Sequence, residues 1–561
     1  MTHYNTNASG SNPLDDSQQL VQNLADVLAA TPECAQKPTI LETHLSWVIL
    51  AGDSAWKLKK PVDFDFVDFS SLERRRLACE QELKLNCRYS PSLYLGVVPV
   101  CGTQSAPYLA LSQTQTAGCS PIEYAVHMKR FSQQAIFSTM IAGGRLDEES
   151  IDALADLIGT LHESTVVDHH RPPESGTDHR DPIPADAGSP ATVRRQILQV
   201  LDGVASEFNE NHLESIRARL LTSLSELANL LEERRQLGFI RRCHADLHLS
   251  NICLYEGEVA VFDCLEFDPL LRIIDVMADL AFVIADLLAW GRDDLASRFL
   301  NRYLTFTGDY AGLRVLPLYV AYRALVRARV GLLSGGSIES DESAAASGSR
   351  YPAVTDYIRI ADKVLDPDPP RLIILHGLSG CGKSWLSEQL SAHCQLVRIR
   401  SDVERKRLLG LGAFGSTQSV EPDAYATAHS QATYTHLARL ATQVIQAGYS
   451  AIVDATFLRQ ADRQLFARLA HTLGTAFLIV DVLADEQVLR YRLRQRLRTG
   501  NDPSEANEAV LQAQLASQES LSADERKSTI SFDNTRQQEK QDAGQALGPV
   551  IRRITNLIAA Q

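Results

Sequence analysis

Several features are missing from this chain, and each absence excludes something. Its ten cysteines contain no C-x-x-C pair. The amino terminus from Met1 to Pro13 is polar and has no apolar signal core. A membrane span is missing as well: the longest apolar helices, near Val276–Trp290 and Leu316–Leu333, are interrupted by Asp279, Asp286, Arg323, Arg327 and Arg329. Nor is there an excess of basic residues. The formal net charge of −14 argues against a general affinity for nucleic acid or anionic membrane, while leaving room for a local basic groove. No internal repeat is visible. These absences predict a reduced, cytoplasmic enzyme without a membrane partner, and they set no oligomeric state.

What remains is length and ordinary globular chemistry: 561 residues, 45% hydrophobic and 22% charged, which suggests more than one domain. The most informative stretch runs from Leu372 to Ser384 and reads as a buried strand, a glycine-rich turn and a helix beginning at Lys383. It carries the Walker A pattern G-x-x-x-x-G-K-[ST] in its required setting. Gly377 and Gly382 permit backbone angles and a close approach that a Cβ would forbid. The loop Gly377, Leu378, Ser379, Gly380, Cys381 and Gly382, with the helix N-terminus behind it, then forms a pocket for phosphate oxygens. Lys383 is placed to bridge the outer phosphates and Ser384 to hold Mg²⁺. The implied ligand is a nucleoside triphosphate.

Composition divides the chain into a polar tail and helix (1–38), a front module (39–350), a connector (351–369) and a back module (370–561). In the front module strands are expected at Ser46–Leu50 and Ala55–Lys59 around a Gly52-Asp53-Ser54 turn, followed by a charged helix over Leu72–Arg88. Residues 166–192 read as a surface loop. His162, His169, His170 and His179 show no regular ligand spacing, and a solvated loop explains them better than a metal site. Gly335–Ser349 lacks apolar periodicity and reads as a flexible connection. Two independent nucleotide sites are expected on either side of it.

The front module carries a second signature. His244-x-Asp246-x-x-x-x-Asn251 is followed by a hairpin at Glu256-Gly257-Glu258 and a strand ending at Asp263. A kinase catalytic loop needs this order: one Asp for the substrate hydroxyl, an Asn for metal, and a second Asp that holds Mg²⁺ against the phosphates. Loop caps at Asp246 and Asn251, with His244 a satisfied core histidine, are the bland alternative. A kinase also needs a strand lysine paired with a helix glutamate. Alternation puts Ala55 and Lys57 on one face, with Glu80 and Glu82 as candidate partners and Lys59 and Lys60 as alternative lysines. No G-x-G-x-x-G loop is present, so the Gly52 turn would have to cover the phosphates.

The phrase from Phe262 to Pro269, followed by Asp275 and Asp279-Leu280-Ala281, resembles the aminoglycoside phosphotransferase group of the protein-kinase-like superfamily. The resemblance implies Asp246 as catalytic base, Asn251 and Asp263 as Mg²⁺ ligands, Glu82 as the partner of Lys57, and Asp279 as a brace for the catalytic loop. Asp263 is followed by Cys-Leu where protein kinases have Phe-Gly. Glu266 is either a further metal carboxylate or a surface acid.

In the back module, strands at Leu396–Arg400 and Tyr449–Val453 each lead into an acid, Asp402 and Asp454. Parallel α/β sheets place ligands at the carboxyl ends of strands, so these acids should converge with Lys383. Asp402 suits a base for a substrate hydroxyl, and Asp454 suits the Walker B position, holding Mg²⁺ through water. Each also reads as a cap or turn residue. Arg490, Arg494 and Arg498 share a helix face and repel unless an anion sits there. A lid in which Arg490 and Arg494 close over the nucleotide explains them, as does a solvated or acid-paired helix. With Val453-Asp454-Ala455-Thr456 and Asp502–Ala506, this pattern resembles the small P-loop kinases related to polynucleotide 5′-kinase, zeta-type toxins and gluconate kinase. The resemblance places Thr456, Arg459 and Arg463 on the substrate side.

The whole chain thus resembles two-domain bacterial proteins of mixed α/β and α+β class: a protein-kinase-like two-lobed front domain followed by a P-loop parallel-sheet α/β domain. The resemblance implies an ATP-dependent kinase, with ATP and Mg²⁺ as cofactors, that phosphorylates a hydroxyl of an unidentified small-molecule acceptor. Two other readings compete with it. One is an ATP-binding or ATP-hydrolysing regulator that transfers nothing. The other is a polynucleotide 5′-end kinase in the back module, which the negative charge and the lack of a long aromatic-plus-basic groove disfavour.

Overall fold

The computed structural model describes residues 13–556 except 33, 35, 65–66, 165–182, 207–209, 334–350, 413–426, 500–506 and 536–539. The polar tail, most of the 166–192 loop, the Gly335–Ser349 connection and Asp502–Ala506 lie outside the described residues. No described helix is long and apolar enough to cross a membrane.

The first lobe is a six-stranded antiparallel sheet. Its strands are β1 (Thr39–Glu42), β2 (Ser46–Ala51), β3 (Ser54–Lys59), β6 (Tyr94–Thr103), β7 (Ala106–Leu109) and β8 (Glu123–Lys129), in the order β1-β2-β3-β8-β6-β7. A two-residue ribbon, β4 and β5 (Asp63–Phe64 and Val67–Asp68), lies between β3 and the helix Leu72–Asn86. β2 and β3 join through Gly52-Asp53, where Gly52 takes φ +55°. Both faces of the sheet are covered. Trp56 and Leu58 pack with Val21 and Leu24 of the Pro13–Ala29 helix. Ala55 packs on the opposite side with Cys79 of the Leu72–Asn86 helix. Strand alternation therefore turns Lys57 and Lys59 toward that second helix. Cys101 and Cys119 are paired as a disulfide.

The second lobe is mostly helical. It carries two short antiparallel pairs: β9 (Ile240–Arg242) with β12 (Ile273–Asp275), and β10 (Ile252–Tyr255) with β11 (Glu258–Val261). The β10–β11 turn, Glu256-Gly257, has both residues at positive φ, as a tight twisted hairpin requires. The helices Val276–Ala289, Asp293–Thr307 and Leu316–Leu333 share one buried cluster with Ile252 and Val261 of the hairpin.

The back module is a five-stranded parallel sheet made of β13 (Arg371–His376), β14 (Val397–Arg400), β15 (Ala451–Asp454), β16 (Ala476–Leu483) and β17 (Thr529–Asp533), in the order β14-β15-β13-β16-β17. β13 is buried along its whole length, as expected of a strand at the centre of a sheet covered on both faces.

The two modules are not independent bodies. Phe282, Phe299 and Tyr303 belong to the same buried cluster as Leu372, Ile374, Val397 and Val444. The connector helix Val354–Val364 joins that cluster through Tyr357, Ile358 and Ala361. The sequence reading missed this because the contacting positions lie a hundred residues apart and carry no local pattern. Phe299 is fully buried in this cluster. Phe299→Ala should therefore cost about 3–5 kcal/mol of stability, measured by urea unfolding of the full chain.

Candidate active sites

In the first lobe, Lys57 Nζ donates to Glu82 Oε1 at 2.9 Å and also to Asp263 Oδ1. Strand, helix and post-hairpin loop are thus drawn together on one ammonium. Lys59 is buried beside it between Glu82 and Glu266. Neither Lys59 nor Glu266 is a solvated surface group, which removes one of the two readings of each. The carboxylate oxygens of Glu82, Asp263 and Glu266 lie within 4.8 Å of one another. Burial opposes the charges on Lys57 and Lys59, but the acids outweigh it and hold both pKa values above the ordinary lysine value. Burial likewise works against an ionised Glu82, yet Lys57 and Lys59 bring its pKa down. Glu80 faces outward and pairs with Arg76. Lys60 pairs with Glu42.

The candidate catalytic loop is held by a buried carboxylate. Asp279 accepts from Ala245 N at 2.7 Å and His244 N at 3.2 Å, and bonds His162 at 3.1 Å. Those bonds hold Ala245 at φ +69°, a sparsely populated region for alanine. His162 is therefore a buried core histidine at the end of its helix, not part of a solvated loop. Asp246 is half-buried, and Asn251 Nδ2 donates to its Oδ2 at 3.1 Å. Burial raises the Asp246 pKa, but His248, Arg327 and His244 bring it down to about 2, so the carboxylate is ionised. Asp263 sits at φ +61°, and its N–H donates to Tyr94.

In the back module, Gly377, Gly380 and Gly382 all take positive φ. A Cβ at Gly377 would meet Val482 O at 2.5 Å, and one at Gly382 would meet Asn534 Nδ2 at 2.1 Å. Lys383 Nζ donates to Gly377 O and Leu378 O at 2.9 and 2.8 Å. A cavity of about 300 Å³ brings together Lys383, Ser384, Asp402 and Asp454, with Arg405, Thr456 and Arg459 on its far wall.

Residues 136–316 match the model of the phosphotransferase enzyme family, and residues 372–521 match that of an AAA domain. Over 465 residues the chain is 30% identical to the uncharacterized protein Rv2004c of Mycobacterium tuberculosis, covering 80% of this chain and 86% of that one. Mb2027c of Mycobacterium bovis matches to the same extent. The chain belongs to this two-module family. It is an ATP-dependent kinase, with an aminoglycoside-phosphotransferase-like module in front of a P-loop kinase-like module. Among solved structures, amicoumacin kinase hAmiN in complex with AMP-PNP, Ca²⁺ and Ami is 12% identical, over 60% of this chain and 89% of that one, with a TM-score of 0.35. A gluconokinase from Sinorhizobium meliloti is 21% identical over 34% of this chain and 93% of its own, with a TM-score of 0.22. The assignment does not rest on these two likenesses.

Within the P-loop module, Asp402 Oδ1 accepts from Arg405 at 2.9 Å. Asp454 accepts from Ser387 Oγ at 3.2 Å and from Arg398 at 3.5 Å. Burial, reinforced by Arg400, lowers the Arg398 pKa to about 10. Arg490 and Arg494, expected as lid residues over the nucleotide, are not among the residues that line the cavity in this structure. Arg490 is held by Glu486 and Glu508, and Arg494 by Glu508, so acids of their own and the next helix relieve the repulsion along that face. The neighbouring face carries the arginines at the phosphate loop: Arg492 donates to Cys381 O and Asn534 O, and Arg496 lines the cavity. Arg463 is likewise not on the substrate side. It is buried, tied to Glu525 and to the carbonyls of Phe457 and Leu458. Asn534 and Gln514, which bond Cys381 O and Ser379, carry no sequence signal, because they come from segments far beyond the motif.

Glu82 is fully buried between two lysines. Glu82→Gln leaves both cations undercompensated and should cost about 3–5 kcal/mol by urea unfolding. Because the folded-state pKa lies below the ordinary glutamate value of 4.5, this stability is present above that pH and lost as pH falls below it. The gap between parent and variant should be full at neutral pH and shrink in acid.

Proposed function

We propose that each module transfers the γ-phosphoryl group of Mg²⁺-ATP to a hydroxyl of a small-molecule acceptor. The observation that carries this reading is the gathering of Lys57, Glu82 and Asp263 onto one point beside the Asp246–Asn251 loop, in the same chain as an intact phosphate loop.

In the front module Lys57, oriented by Glu82, takes the nucleotide phosphates. Asp246, ionised and held by Asn251, accepts or orients the acceptor's hydroxyl proton. In the back module Lys383 and the loop amides cradle the phosphates, and Asp402 meets the acceptor hydroxyl. The donor sets Asn251 with Asp263, and Ser384 with Asp454, are all oxygen, which suits Mg²⁺. The Asp263 carboxylate already holds a cation, the Lys57 ammonium, so this position tolerates positive charge. When bound, Mg²⁺ neutralises charge on the β- and γ-phosphate oxygens. The net charge of −14 continues to weigh against a nucleic-acid acceptor.

Single-turnover assays with γ-labelled ATP, with and without a library of hydroxyl compounds, test the reading. Label appearing in an organic product supports it; label appearing only in inorganic phosphate overturns transfer and leaves a hydrolysing regulator.

Three substitutions in the full chain sharpen this. Lys383→Ala removes a charge-assisted contact worth roughly 1.5–3 kcal/mol and should weaken AMP-PNP binding at the back site about tenfold or more, measured calorimetrically with Mg²⁺. Asp246→Asn should keep nucleotide binding in the front module while transfer falls by roughly 10²–10⁴. Asp263→Asn should lower Mg²⁺-nucleotide affinity and turnover together. If both front-module variants lose only stability and bind nucleotide as the parent does, the kinase roles assigned there are wrong.

A further inference from the structure

β14 is an edge strand of the P-loop sheet, and an edge presents a row of unpaired backbone groups. Val397 N points inward to Ser450 O at 2.8 Å. By alternation, the backbone groups of Leu396 and Arg398 point to the open side. No described strand of the back module meets them there.

The partner is the front module. Asn301, on the helix Asp293–Thr307, donates from Nδ2 to Leu396 O at 2.9 Å and accepts at Oδ1 from Arg398 N at 2.7 Å. One amide side chain thus imitates a strand residue. Tyr310 OH donates to Arg398 O at 3.3 Å. Asn301 is oriented in turn by Ser297 O, which accepts from its Nδ2 at 2.9 Å. Further along, Arg407 donates to Thr305 O at 2.8 Å, and Ser297 Oγ donates to Ser391 O at 2.8 Å at the far end of the phosphate-loop helix.

What β14 carries explains why this matters. The Arg398 side chain reaches Asp454 at 3.5 Å and Arg400 approaches it at 4.0 Å. Two residues past Arg400 comes Asp402, on the wall of the nucleotide cavity. The phosphate loop itself hangs from β13, two strands away. Movement of β14 along the sheet would therefore shift Asp402 and the Asp454 contacts relative to bound phosphates without disturbing the phosphate loop.

We propose that Asn301, with Tyr310, is a positioning residue for the P-loop module: the front module supplies the missing edge that sets β14, and so Asp402, for phosphoryl transfer. This rests on the back module acting as a phosphotransferase. It also makes the front module a structural part of the back active site, whatever its own acceptor.

The test uses the full chain in an Asp246→Asn background, so that turnover of labelled ATP reports the back site. Occupancy of that site is the AMP-PNP binding that Lys383→Ala weakens. Asn301→Ala should lower turnover per occupied site by about tenfold to a hundredfold while AMP-PNP affinity stays within about twofold. Tyr310→Phe, which removes a single hydroxyl and serves where Asn301→Ala does not fold, should show a smaller loss of the same kind. Phe299→Ala, a purely apolar change on the same helix, should lower stability and leave turnover per folded molecule at the parent level. Parent-level turnover in Asn301→Ala or Tyr310→Phe overturns the proposal, and so does an equal loss in Phe299→Ala. If the background chain binds AMP-PNP through Lys383 yet turns over no ATP, the transfer reading itself fails and the clamp falls with it.

Discussion

A carboxylate taken out of water must find donors or cations, and in this chain that requirement holds the catalytic parts in place. Asp279 has the two N–H groups of His244 and Ala245 and the ring of His162. Asp286 accepts from Leu249 N at 2.9 Å, two residues before Asn251, and from Tyr357 OH at 2.7 Å. Asp275 and Asp309 share the buried guanidinium of Arg234. Each acid uses its lone pairs on a backbone segment or side chain that could not otherwise be fixed. The loop around Asp246 is tied to buried carboxylates in this way, and the N–H of Ala245, at positive φ, is captured. Any one of these acids, left alone, would cost several kcal/mol; paired, they orient the loop.

How much of this could be read from the sequence depended on distance along the chain. The phosphate loop was legible because its chemistry is contiguous: eight residues carry the glycines, the lysine and the serine, with strand and helix on either side. Lys57, Asp246, Asn251 and Asp263 were visible as candidates because alternation and fixed motif spacing point at them one at a time, and Glu82 because the family resemblance does. Lys59 and Glu266 were visible as residues but not as a buried pair, since burial depends on a helix and a loop arriving from elsewhere. The arginine helix was legible only in part, for a different reason. Periodicity identified a like-charged face at Arg490 and Arg494, yet Glu508 on the next helix neutralises it, and Arg492 turns inward instead. Helical spacing tells which residues share a face; it does not tell what that face meets.

The connection between the modules was the largest surprise. A Gly- and Ser-rich stretch before residue 350 suggested separable units, but the chain that follows returns to the front module before it enters the P-loop sheet. Tyr357 lies on that returning helix and reaches Asp286, which holds the front catalytic loop. Asn301 reaches the other way, from the front module to β14. Each candidate site therefore takes hydrogen-bonding support from outside its own motif. Loop composition describes the link between two modules, whereas their independence is decided by the apolar area that packs between them.

The two lysines proposed to bind phosphate are also held differently. Lys383 rests on two neutral carbonyls of its own loop, while Lys57 rests on two carboxylates. Charge-assisted bonds are roughly twice as strong as neutral ones, so drawing Lys383 onto a phosphate is the easier exchange. Turning Lys57 from Asp263 toward a phosphate leaves that carboxylate in need of another cation. Glu82 can remain with Lys57 throughout, because Lys59 also compensates it from the other side. The second lysine thus keeps the Glu82 carboxylate from being stranded when the first one is recruited, and this gives a buried Lys59 a reason to sit where a solvated lysine was equally compatible with the sequence.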